Sequence, residues 1–90
     1  MLIELRKKIA DEDQKILQLL AQRKKLVAKV AQEKKLTGKK IHDLKREKNL
    51  LNELKKIGKE KGLSAKEIEK IWQVIFEFSY EKQKKIMNDE

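Results

Sequence analysis

A helix stepping by three and four from Arg6 carries Arg6, Ile9, Asp13, Ile16, Leu20, Arg23, Val27, Val30 and Lys34 along one line. Three of these positions are cations on a track that otherwise tends to the apolar. A cation taken out of water costs several kcal/mol unless an anion meets it. If Arg6, Arg23 and Lys34 face inward, they therefore require an anionic partner, either a protein carboxylate or a ligand. The same residues allow a plainer reading: the core line runs one position over, through Leu5, Leu19 and Leu26, and leaves the cations at its edge.

Two later segments repeat the anomaly. Counting back one turn from Leu50 or Leu51, where another aliphatic belongs, lands on Arg46 and Glu47. Solvation of a first helical turn would explain both, with Glu47 favoured near the positive helix end. In the last segment the inward stripe reads Ile68, Ile71, Trp72, Ile75, Ser79, Gln83 and Ile86, so Ser79 and Gln83 stand where aliphatics are due. Ser79 alone could be a small packing residue, and Gln83 could mark fraying. Together the set is rich in cations, with one carboxylate and two neutral hydrogen-bonders. It contains no His or Cys nucleophile, no facing carboxylate pair, no metal-ligand spacing and no glycine-rich phosphate loop. Such a set suits a small polyanion bearing a hydroxyl, held by charge-assisted hydrogen bonds.

Three helices must carry these residues. Residues 2–36 contain neither proline nor glycine, so a first helix should run from about Leu2 to Leu36. At about 1.5 Å per residue it is a rod of roughly 50 Å. The remaining chain is too short to wrap both ends, which predicts that the rod buries its stripe against a second copy of itself. Thr37 and Gly38 should break it. A short basic connector, TGKKIH, follows, with Ile41 as its apolar anchor and His42, the lone histidine, as surface decoration. Asp43 is the expected N-cap of the second helix, which should end near Lys61 with Gly62 beyond it. Ser64 and Glu67 form a capping box flanked by the staple residues Leu63 and Ile68, marking the start of the third helix.

Composition agrees with an all-α chain. Ninety residues make one domain, spanning 1–90, and 43% of them are charged while 4% are aromatic and none is proline. The absence of cysteine excludes disulfides and thiolate metal sites. No leading apolar segment and no membrane-length apolar run are present, which makes a soluble cytoplasmic protein the default. A net charge of +9 invites a nucleic-acid partner. The lysines, however, are scattered and interleaved with acids, as in KKIGKEKG (55–62), and aromatic platforms for bases are few. The expectation is no nucleic acid, no membrane and no cofactor.

The ordered set LRKKIADEDQKILQLLAQRKKLVAKVAQEK (5–34), Asp43-x-x-Arg46-Glu47, Gly62-Leu63 and Ser79-x-x-x-Gln83 resembles the all-helical (AroQ) class of chorismate mutase over nearly the whole chain. It is most similar to the mutase domain of bifunctional mutase–prephenate dehydratases, here without a dehydratase portion. The resemblance implies an intertwined homodimer in which Arg6 enters the partner's site while Arg23 stays in its own, both holding carboxylates of chorismate. It implies that Lys34 meets a carboxylate and the ether oxygen, and that Gln83 gives that oxygen its second hydrogen bond. Glu47 and the backbone around Asp43 would take the ring hydroxyl. Arg46 and Ser79 would complete the carboxylate wall, with Val30, Leu50 and Phe76 as apolar lining. Three departures from the family's habit stand out: Glu12 where an aliphatic is usual, a connector without proline, and the bulky Phe76 and Phe78. Two other functions fit the same features: an isochorismate-pyruvate lyase of this fold, and a basic helical adaptor for nucleic acid or a partner helix.

Overall fold

A computed structural model describes residues 1–40 and 43–88. It holds three helices in chain order, α1 (Leu2–Thr37), α2 (Leu44–Glu60) and α3 (Ala65–Asn88), and the described residues include no strand. Their ends lie where the punctuation residues put them. Gly38 adopts φ 71° and closes α1, where the N–H of Lys39 donates to the carbonyl of Lys34 at 3.0 Å. The Asp43 carboxylate accepts from the N–H of Arg46 at 3.0 Å and starts α2. Ser64 and Glu67 exchange bonds of 3.0 and 3.1 Å, the reciprocal box that opens α3. Ile41 and His42 lie outside the described residues.

α3 is the common neighbour. It packs against both α1 and α2, whose backbones do not come close to each other among the described residues. The tightest joint is at the α2–α3 corner. Gly58, inside the last turn of α2, is buried against Ile68, itself 2% exposed. A Cβ at position 58 would meet Cδ1 of Ile68 at 2.8 Å, so only glycine lets α2 sit this close to α3. A Lys55–Glu69 ion pair ties the same two helices further along.

Little else is covered. Among the described residues only Ala31 and Ile68 are buried hydrophobics. The line through Leu5, Leu19 and Leu26 is open to solvent, at 55%, 63% and 60% exposure. The surface turned towards α3 is instead that of Arg23, Val27, Ala31 and Lys34, of which Ala31 is fully covered. Ile71, placed on the inner stripe by its spacing, is nearly half exposed. The chain exposes 8065 Å², whereas a compact monomer of this mass exposes about 5500 Å². Its radius of gyration is 16.1 Å, against about 12 Å for a compact domain of this length. No helix among the described residues is long and apolar enough to cross a membrane.

Candidate functional site

Arg23 and Lys34 stand eleven residues apart on α1, three turns, and so point the same way. Their partners on α3, Ser79 and Gln83, are one turn apart. Nη1 of Arg23 donates to Oγ of Ser79, and Nζ of Lys34 donates to Oε1 of Gln83 at 3.1 Å. The spacing along α1 is about 16 Å and along α3 about 6 Å. The two long arms take up that difference, drawing both cationic heads to within a turn of α3. The Ser79 hydroxyl donates to the Ile75 carbonyl at 2.9 Å, leaving its oxygen to accept from Arg23. Gln83 presents its carbonyl oxygen to the lysine, which turns its N–H₂ away as a further donor.

Arg23 is the cation whose charge the fold disfavours. Its pKa is lowered, first by burial and then by the nearby charge of Arg46. Arg46, though exposed itself, thus extends its influence from the first turn of α2 to α1. A half-buried cation with a second cation nearby favours an anion that joins them.

The remaining candidates are spread over neighbouring grooves. One groove between α1 and α3, about 480 Å³, is lined by Arg23 and Ser79 with Leu20, Val27, Ile75 and Phe78. Glu47, half buried, lines a second groove between α2 and α3 with Leu51, Gln73 and Phe76. Asp43 and Lys34 line a third, beside Lys39 and Lys40. Val30 is exposed and Leu50 half buried. Arg6 is exposed and joins none of these. It lies about 25 Å along the rod from Arg23 and about 42 Å from Lys34, beyond the reach of an arginine side chain. A single chain therefore gathers Arg23, Lys34, Ser79 and Gln83, holds Arg46 close, and leaves Arg6 outside. No cluster of three His, Cys, Asp or Glu able to hold a metal occurs among the described residues.

Phe78, noted from the sequence for its bulk, and two lysines given no site role there also line these grooves. Phe78 lines the Arg23 groove although 65% exposed, and Lys39 and Lys40 share a groove with Lys34. The signal for the lysines was the basic connector itself.

The model of the chorismate mutase type II family matches residues 5–84, which include all eight candidate site residues. The chain belongs to the type II chorismate mutase family. Relatives include a bifunctional chorismate mutase/prephenate dehydratase of Buchnera aphidicola subsp. Schizaphis graminum, 41% identical over 97% of this chain and 23% of the relative. Another is the protein of the same name from Escherichia coli K12, 37% identical over 87% of this chain and 20% of the relative. The chain thus spans about a fifth of the length of the curated relatives it matches.

Proposed function

We propose that this chain is a chorismate mutase domain, isomerising chorismate to prephenate in a site completed by a second copy of itself. The observation that carries the reading is the convergence of the Arg23 and Lys34 heads on one turn of α3, in a chain of this family. The reaction is an intramolecular rearrangement: the ether C–O bond breaks as a C–C bond forms, and no proton, electron or group leaves the molecule. It needs neither base nor nucleophile, and the constellation offers neither. What the protein must supply is a compact substrate conformer and donors for the charge that grows on the ether oxygen.

Each residue then has a task matched to its chemistry. Arg23, steadied by Ser79, holds one carboxylate, with Arg46 reinforcing the positive wall. Lys34 meets a carboxylate and the ether oxygen, and the outward N–H₂ of Gln83 gives that oxygen its second hydrogen bond. Glu47 and the backbone at Asp43 take the ring hydroxyl. Val30, Leu50 and Phe76 supply the apolar lining, and no cofactor takes part.

Arg6 of the partner subunit takes the other carboxylate. Support for the second copy comes from area: the chain exposes roughly 2500 Å² more than a compact monomer of its mass, the scale of an obligate interface. The uncovered apolar side chains of the N-terminal half of α1, Leu2, Leu5, Ile9, Ile16 and Leu20 among them, are the surface such a copy would cover. A two-fold axis then gives two equivalent sites, each borrowing one arginine.

The test is the loss of chorismate's ultraviolet absorbance, with prephenate identified by acid conversion to phenylpyruvate. Turnover well above the uncatalysed rate is expected. A folded dimer that leaves chorismate at the background rate would overturn the reading.

A further inference from the structure

We propose that Lys39 and Lys40 form an outer cationic station that captures the dianionic substrate and passes it inward to Lys34, an inference that rests on the functional reading above. The groove they line also contains Lys34, Gly38, Asp43 and Leu44. Lys34 is half buried on its inner side with its head turned to Gln83, whereas Lys39 and Lys40 are exposed. The groove therefore runs from bulk water to a residue of the proposed site.

The backbone at the start of this groove is held. Gly38 takes a left-handed conformation, φ 71°, and the N–H groups of Gly38 and Lys39 both donate to the Lys34 carbonyl. Lys39 is thereby fixed beside the last turn of α1 and belongs to no loose tail. Among the described residues lining the groove the one carboxylate, that of Asp43, is turned to the Arg46 N–H at the start of α2. A dianion approaching here meets three lysines against one committed carboxylate. Its two charges double the attraction a monoanion would feel, and clefts lined by one sign of charge raise local substrate concentration and capture rates.

Lys39 and Lys40 touch no reacting atom, so they are steering residues, and their effect must fall on capture and be screened by salt. The Debye length shrinks from ~30 Å at 10 mM salt to ~3 Å at 1 M. The experiment is steady-state turnover of chorismate across that range by the parental protein, by Lys39→Gln/Lys40→Gln and by Lys66→Gln/Lys70→Gln. The last pair removes the same charge from exposed positions at the opposite end of α3.

In the connector variant kcat stays at the parental value, while kcat/KM falls about three- to tenfold at low salt and the gap closes at high salt. The α3 variant tracks the parent. Equal losses in both variants, a gap that ignores salt, or a fall in kcat would overturn the proposal. If the parent does not turn chorismate over, the functional reading fails instead. The steering is then judged by titrating malate, a hydroxy dianion, into the folded proteins by NMR. Weaker, salt-sensitive binding in the connector variant alone supports it, and identical binding in all three refutes it.

Discussion

Lys34 donates from Nζ to Oε1 of Gln83 at 3.1 Å, joining α1 to α3 across 49 residues of sequence. The bond sets the orientation of both side chains: a lysine can only donate, so the glutamine must offer its oxygen and aim its N–H₂ elsewhere. Two donors thereby share one small region with the Arg23 head. Removing a donor to a developing oxyanion usually costs about 3–4 kcal/mol of transition-state stabilisation. Lys34→Ala and Gln83→Ala should each lower kcat on chorismate by about a hundredfold or more, with circular dichroism and sedimentation unchanged. Near-parental turnover by Lys34→Ala would remove it from its assigned role.

Arg23 and Arg46 predict a stability signature. A cation whose pKa is lowered in the folded state carries a cost wherever it remains charged, which for arginine includes the whole neutral range. Burial and Arg46 impose that cost, and a bound anion relieves it. Arg46→Gln should leave the unliganded protein at least as stable as the parent while shrinking the rise in melting temperature produced by a dicarboxylate. Thermal unfolding by circular dichroism, with and without the dianion, reads both effects.

Much of this was legible in the residues. Gly38, Asp43, Gly62 and the Ser64–Glu67 box state their helix ends locally, because a cap is satisfied by side chains within a turn of it. Ser79 and Gln83 stood out because polar side chains interrupted an apolar period, and Arg23 and Lys34 because cations interrupted another. What the period could not decide was which of two adjacent lines on α1 faces inward. That depends on α3, and its choice of the Arg23–Lys34 side leaves Leu5, Leu19 and Leu26 in solvent. Gly58 was silent for a different reason: a glycine inside a helix advertises only the absence of a side chain, and the need for that absence belongs to Ile68 on another helix.

That close approach gives its own prediction. Alanine is favoured over glycine inside a helix by about 1 kcal/mol, but forcing a methyl into a filled joint costs about 1–3 kcal/mol. Gly58→Ala should therefore destabilise the fold by about 1 kcal/mol. Trimming the clashing Cδ1 in Gly58→Ala/Ile68→Val should recover part of the loss beyond additivity. Urea unfolding of these two variants and of Ile68→Val alone measures the coupling, and strict additivity would contradict the geometry.

The capping box makes the start of α3 sensitive to acid. The Ser64 backbone N–H, then its hydroxyl, hold the Glu67 carboxyl below its usual range. A depressed carboxyl contributes stability above its unfolded value, about 4.3, and loses it as pH falls through the lower folded value. Glu67→Gln should thus be less stable than the parent at neutral pH, with the difference vanishing in acid. Unfolding at a series of pH values checks the direction, and a difference that grows in acid would reverse it.

The central claim is that one site draws Lys34 from one chain and Arg6 from another. Arg6→Ala and Lys34→Ala should each be nearly inactive as homodimers. Unfolded together in equal amounts and refolded, they pair at random, and one of the two sites in each mixed dimer regains both residues. The mixture should then recover about a quarter of parental chorismate turnover. Recovery near that fraction supports the shared site. A mixture no more active than its components, with mixed dimers present by mass spectrometry, would contradict it.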